Sequence, residues 1–365
     1  MEYFILMLFV VTGLSIFEHL QGNRKKEFWL FDIGFIFTFS VLAFVSAVRD
    51  DVGCDYYSYI RHIGVIQAGI VEHYMEAGFQ FIVRLVAKFD DNPRYVLILM
   101  SIMTCFFYIK SIWDQSTNRI LSVFLFLTWG LYFFTFNTIR NYFAIAIVFY
   151  AIKYLLSEKK LFFLDEKIIF CGLILLATQF HFSVIFCLPM YFIAYYVDLK
   201  KGHIPFIILA IIIMLLAQIP LRSLAFYFYA GYEGGAYDND RISYLNILKA
   251  ILIIGICLKY KKIVYADKYL KFYFNLNVFA FMLYVGVYWL PEISRVGFSL
   301  NMTVMFLLPR LIQSIKNKAS RQELTFVVTF VSLVLFILLL NGFYSESNRT
   351  LPYKTWLFNG KFNYY

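Results

Sequence analysis

Charge is what this chain has least of. Asp, Glu, Lys and Arg together make up 15% of its 365 residues, where a soluble domain carries about 25%. Its five cysteines, at 54, 105, 171, 187 and 257, stand singly. Four of them lie in apolar runs, where a cysteine behaves as a small hydrophobe. With no CxxC pair and no histidine cluster, neither a disulfide framework nor a metal site is expected. P-loop, GxSxG, HExxH and dinucleotide-binding signatures are all missing, which removes the common nucleotide-dependent and hydrolytic classes. No metal and no other cofactor is expected.

What remains is apolar. Hydrophobic residues make up 61% of the chain and the mean hydropathy is +0.70. Several runs approach or exceed the ~18–20 residues that cross a bilayer. A β-barrel would show short alternating segments instead. The expected fold is therefore an all-α polytopic membrane domain over 1–365, with about twelve spans (range roughly ten to twelve). They fall at 3–20, 28–47, 94–112, 119–137, 140–156, 166–180, 182–197, 204–220, 244–259, 271–290, 296–313 and 323–341. The start Met1-Glu2-Tyr3 lacks a basic leader region, so the first run reads as a retained helix.

Basic residues orient the chain. Arg24, Lys25 and Lys26 follow the first span, and Lys259, Lys261, Lys262, Lys268 and Lys271 cluster later. Placing both groups in the cytoplasm puts both termini outside. It also requires 166–197 to turn near His181 rather than cross once. The net charge of +10 then belongs to cytoplasmic loops, and nucleic acid is not an expected partner. Outside lie the loop 48–93, the loop 221–243 and the polar tail 342–365. Within the first loop, Glu72–Phe89 has apolar residues at helical spacing but too many charges to span. It reads as an amphipathic surface helix.

The unusual polar groups all fall on that outer side. Arg49, Asp51 and Asp55 follow the second span, and Glu76 sits on the surface helix. Arg140 lies in a tight turn, His181 at the next, and Arg295 beside Glu292 near a later helix start. Ionisable groups at the bilayer are expensive and mark function by default. Arg140 presents a planar donor fork suited to phosphate oxygens; the plainer alternative is an arginine reaching lipid headgroups. Arg49 is equally a common helix-end anchor. Asp55, Glu76 and His181 compete as the general base for a hydroxyl, against roles as salt-bridge partners or a satisfied core histidine. Outer tyrosines such as Tyr59 and Tyr237, with Arg241, suit a glycan, although aromatic belts are common at interfaces.

With these residues in place, the chain resembles the EpsG-type branch of bacterial polysaccharide polymerases, related in role to the Wzy polymerases of O-antigen. Arg49–Tyr59 resembles the family's arginine–Val-Gly-x-Asp-Tyr-x-x-Tyr element, with Cys54 where a small polar residue is usual. Glu76–Phe79 resembles Glu-x-Gly-Phe, Arg140–Ala144 resembles Arg-x-x-x-Ala, and Phe180–Ser183 resembles Phe-His-x-Ser, followed by Val184 where alanine is common. Arg295–Pro309 and Leu351–Lys354 fit more loosely. The resemblance implies a multi-pass bacterial inner-membrane glycosyltransferase with an extracytoplasmic active face. It would join oligosaccharide repeat units carried on undecaprenyl pyrophosphate, which serve as both donor and acceptor, for O-antigen, capsule or exopolysaccharide. Arg49, Arg140 and Arg295 would hold the pyrophosphate, and Asp55, Glu76 or His181 would take the proton. Tyr59, Tyr237 and Arg241 would contact glycan. Membrane lipids, a flippase and a chain-length regulator are the implied partners. The alternative is a transporter or flippase for lipid-linked oligosaccharides, which would show broken helices and internal repeats. An acyltransferase would want an inward histidine.

Overall fold

The computed structural model describes residues 1–21, 32–158, 160–161, 164–199, 204–228, 234, 242–290 and 293–359. The chain divides into two compact units, Met1–Ile185 with Asn317–Tyr365, and Phe186–Lys316.

The first unit contains α1 (Glu2–Gln21), α2 (Ile33–Ala47), α3 (Tyr56–Gln67), α4 (Ala77–Ala87), α5 (Pro93–Gln115), α6 (Arg119–Thr128), α7 (Leu131–Phe134), α8 (Ile139–Leu156) and α9 (Glu166–Thr178). A two-residue hairpin, β1 (Lys160–Leu161) with β2 (Leu164–Asp165), precedes α9. The second unit contains α10 (Cys187–Tyr196), α11 (Ile204–Leu216), α12 (Gln218–Phe228), α13 (Tyr244–Lys259), α14 (Lys261–Ala266), α15 (Lys268–Gly286), α16 (Ile293–Asn301) and α17 (Val304–Ser314). The chain returns to the first unit with α18 (Lys318–Phe343) and α19 (Trp356–Asn359).

Short polar residues set where the helices begin. Asp32, Asn92, Asn118, Asp165, Asp267 and Asn317 each cap a helix N-terminus by accepting a backbone N–H, and Pro93 occupies the first turn of α5. Such caps satisfy donors that an apolar helix end leaves open. In the first unit α5 packs between α2 and α8, and α8 packs on α9. Burial separates centre from periphery: 61% and 72% of the apolar windows of α5 and α8 are buried, against 22% and 33% for α1 and α18. Phe9 and Ile16 on α1, and Phe330 and Ile337 on α18, are left exposed, which suits a lipid-facing surface.

The protein is an all-helical polytopic membrane protein apart from the small hairpin, but its spans are unequal. Among the described residues five helices are long and apolar enough to cross a bilayer, and α11 with α12 adds a sixth if the 65° bend between them lies within one span. The other segments expected to span are shorter or interrupted. The 119–137 run breaks into α6 and α7, while the 296–313 run, one of the five, only turns at Met302-Thr303 between α16 and α17. The 166–197 run is interrupted at Gln179–His181 and resumes as a 3-10 turn, Phe182–Phe186. At ~1.5 Å per residue, α9 is about 20 Å long.

The 48–93 loop holds two helices where one was expected. α3 buries Tyr56, Tyr59, Ile63 and Ile66, a 3-4-3 spacing that makes one helical face. α4 starts at Ala77 rather than Glu72, burying Phe79, Gln80 and Val83 and exposing Phe81. The C-terminal tail does not hang free after α18. It folds back along residues 48–54.

Candidate functional site

Arg49–Tyr56 runs beside the C-terminal segment. Asp50 N donates to Lys354 O at 2.9 Å, Gly53 N to Arg349 O at 2.8 Å, and Cys54 N to Asn348 O at 3.0 Å, while Trp356 N donates to Val48 O at 3.3 Å. Gly53 is required twice over. Its φ is +105°, and a Cβ there would lie 2.5 Å from Phe136 O, so the backbone passes too close for any side chain. Asp51, also left-handed at φ 53°, forms an ion pair with Arg349 at 3.2 Å and accepts from Lys354 at 2.9 Å.

The charges in this stretch have different fates. Asp50 pairs with the buried Arg94 at 3.0 Å, and the Tyr56 hydroxyl lies between them. Arg49 is 3% exposed. It donates to Ser46 and to Ser101 Oγ at 2.8 Å and lies over the Phe136 ring. No carboxylate among the described residues pairs with it. Asp55 sits at the N-cap of α3 without making a cap bond. Its only partner among the described residues is the Cys54 thiol, 3.7 Å away. Burial, with the Asp55 carboxylate beside it, pushes that thiol up to about 11, so Cys54 stays protonated at neutral pH and is no nucleophile. The Asp51 hydrogen bond raises Lys354.

A second cluster joins three distant segments. Arg140, in the first turn of α8, forms an ion pair through Nη1 with Glu76 Oε2 and donates to Tyr74 O at 3.3 Å. The other Glu76 oxygen accepts from Phe182 N, next to His181, at 3.2 Å. Gly78 N donates to Gln179 O at 2.8 Å. A Cβ at 78 would sit 2.6 Å from that oxygen, so glycine permits α4 to meet the turn after α9. His181 Nδ1 bonds Ser183 Oγ at 2.7 Å, which accounts for the spacing of Phe-His-x-Ser. Phe180 meets Phe143 edge to face at 4.6 Å.

The Nε–Nη2 edge of Arg140 has no hydrogen-bond partner among the described residues. One side of the guanidinium is therefore fixed, and on the other Nε is buried without a hydrogen-bond partner among the described residues, a donor left for an anion. Tyr59 links the two clusters. Its hydroxyl accepts from Arg140 N at 3.4 Å, and its ring packs on Phe79. At 6% exposed, it offers little surface to a glycan.

The expected site residues thus separate. Glu76, Arg140 and His181 come together, with Tyr59 and Asp55 one turn apart alongside. Arg49 is nearby in sequence but committed to packing. Arg295 lies on α16 of the other unit. Tyr237 and Arg241 fall outside the described residues, as does most of 221–243. Among the described residues no three of His, Cys, Asp and Glu converge as metal ligands would.

Sequence reasoning missed Arg94, Asn137, Asn348 and Arg349. Asn137 Oδ1 accepts from Cys54 N at 2.9 Å, and its Nδ2 lies 3.5 Å from Asn348 Oδ1. The one signal for Asn137 was its place in the polar turn before Arg140.

No curated protein and no solved structure matches the chain. The model of the EpsG family matches residues 32–355, a stretch that begins at the α2 cap and ends on the tail segment paired with Arg49. It includes every element of both clusters, and the chain belongs to the EpsG family.

Proposed function

We propose that the protein polymerises lipid-pyrophosphate-linked oligosaccharide repeat units at the extracytoplasmic face of the bacterial inner membrane. The EpsG family is one of polymerase- or glycosyltransferase-like enzymes, and the membrane helices suit a lipid-borne substrate. The observation that carries the reading is Arg140, pinned by Glu76 and with its buried Nε left without a partner among the described residues.

In the transfer, the bond from the donor's anomeric carbon to pyrophosphate breaks. A bond forms from that carbon to the acceptor hydroxyl, and lipid pyrophosphate leaves. Negative charge grows on the departing oxygen, where the unpartnered edge of Arg140 stabilises it. The hydroxyl proton goes to a base. Both Glu76 oxygens are engaged, so Glu76 positions Arg140 and the His181 turn. Asp55, which pairs with no cation among the described residues, is the better acceptor, and His181, oriented by Ser183, is the alternative.

The test is a deletion strain complemented in trans. Wild-type protein restores long glycans, whereas Arg140→Ala and His181→Ala, at normal abundance, leave single repeat units. Normal chain lengths from both variants would remove them from the site. The 65° break between α11 and α12 is what a transporter of lipid-linked oligosaccharides would show. Untranslocated lipid-linked units accumulating in the deletion strain would favour that reading.

A further inference from the structure

The tail is the part of the molecule that the proposed chemistry leaves unused. It is nonetheless tied at many points. Tyr3 donates to Thr350 O, Tyr353 donates to Val45 O at 2.6 Å, and Tyr353 N donates to Glu2 at 3.0 Å. Four backbone bonds and the Asp51 ion pairs fasten it to 48–54. Asn348 is where it meets both walls of the site. Its carbonyl accepts from Cys54 N at 3.0 Å, its Oδ1 faces Asn137 Nδ2 at 3.5 Å, and its own Nδ2 is held by Gly342 O at 3.0 Å. Asn137 in turn accepts from Cys54 N at 2.9 Å and lies three residues before Arg140.

One N–H, that of Cys54, is therefore shared by the tail and by the turn that starts α8. Asp55 follows Cys54 directly, and Tyr59, one turn further on, touches Arg140 N. The N-terminus of α3 is thus stapled to the N-terminus of α8 at two points, with Asp55 between them. Asparagine suits the staple because it accepts and donates through one short side chain.

We infer that Asn137 and Asn348 are positioning residues: the C-terminal segment forms a wall of the site and holds Asp55 in register with Arg140. This rests on the polymerase reading. A misplacement of about 1 Å costs an enzyme on the order of 10²-fold in rate at worst, so a loosened staple should lower turnover without weakening substrate capture.

The test uses the purified full chain and lipid-linked repeat units extracted from the deletion strain. Asn137→Ala and Asn348→Ala should each lower kcat about tenfold or more, with KM and melting temperature unchanged. The double variant should be no worse than either single one. Asn137→Asp keeps the acceptor for Cys54 N and should recover much of the loss. Wild-type kcat in both single variants overturns the inference, and so does a melting temperature that falls in step with activity. If the wild-type chain elongates nothing, the polymerase reading fails and hydrogen–deuterium exchange decides the staple alone. Faster exchange at 139–142 in Asn348→Ala supports it; a change confined to 345–356 overturns it.

Discussion

Around the start of α2 and the end of α5, Asp114 bridges Lys110 and Lys153, and Arg119 bridges Glu18 and Asp32. A cavity of about 260 Å³ opens there, lined by Glu18 and residues 116–120. At the opposite ends of the same helices, Arg49, Asp50, Asp51, Asp55, Glu76, Arg94 and Arg140 gather in comparable density. The first end has a cavity, yet its acids and bases pair with one another. The second has an arginine buried on hydroxyls, a carboxylate with no cation partner among the described residues, and a guanidinium whose Nε has none. Charge at a bilayer is expensive wherever it lies, so pairing is the cheap solution and mismatch is what has to be explained. The difference teaches that a charge left without a counter-charge, more than charge density or volume, distinguishes the end proposed for the chemistry.

The sharpest break of this comparison is Arg140→Ala against Arg119→Ala. If Arg140 is the transition-state donor proposed, its loss should lower elongation about 10²–10³-fold, measured as kcat on extracted lipid-linked repeats. Losing Arg119 leaves Asp32, 8% exposed, without its cation. That should lower stability by about 1–3 kcal/mol, seen in the melting temperature, while chain length stays normal. Equal losses of kcat in both variants would erase the distinction between the two ends.

A middle-sized effect separates Glu76 from Asp55. Glu76→Gln keeps an acceptor for Phe182 N but gives up the ion pair, so Arg140 is held less firmly. Turnover should drop about tenfold, and raising the pH should not restore it. Asp55→Asn removes the proton acceptor outright and should drop turnover at least as far, with no loss of melting temperature. A fully active Asp55→Asn would hand the base role to His181.

The second cluster was legible as residues, the first only in part, and neither as partners. Helical type followed from apolar runs, and Asn and Asp caps mark six of the helix starts. The Gly in Glu-x-Gly-Phe and in Val-Gly-x-Asp were visible letters, but their reasons are contacts with Gln179 O and Phe136 O, roughly 100 and 80 residues away in sequence, and nothing local encodes them. Arg49 looked like Arg140 in the sequence because both are single arginines at helix ends. Only packing shows that Ser46, Ser101 and Phe136 absorb the first. The tail read only as polar, because four of its bonds to 48–54 run backbone to backbone and the partners of Asp51, Arg349 and Lys354, lie roughly 300 residues away in sequence. Apolar runs outlined the membrane helices but not the 3-10 turn and helix breaks inside them, which hydropathy averages away.

Asp51 gives a smaller effect. It bridges Arg349 and Lys354 at the exposed rim of the tail, where ion pairs are worth no more than about 1 kcal/mol. Asparagine tolerates the left-handed backbone at 51, so Asp51→Asn tests the charge alone. The melting temperature should fall slightly, and salt should narrow the gap to wild type. A large loss of kcat would mean that the rim pairs, and not the Asn137–Asn348 staple, hold the tail in register.

The smallest expected effect is a dependence on pH at the loop between α3 and α4. His62 Nδ1 bonds Glu72 Oε2 at 3.0 Å, and this bond holds the Glu72 carboxyl below its ordinary value. Gln80 Nε2 donates to Glu72 O at 2.8 Å and Met75 O at 2.7 Å, so the same loop delivers Tyr74 O and Glu76 to Arg140. A depressed carboxyl stabilises the fold in full above its unfolded pKa, about 4.3 for glutamate. That contribution drains away as pH falls through the lower folded value. Glu72→Gln should therefore melt slightly below wild type at pH 7, and the two curves should converge as the medium is acidified past about pH 4. Curves that stay parallel to the lowest pH would show that Glu72 contributes shape rather than charge. The loop would then be held to Arg140 by Gln80 and Glu76, and the chemical end would lose one of its few charges matched by a near neighbour in sequence.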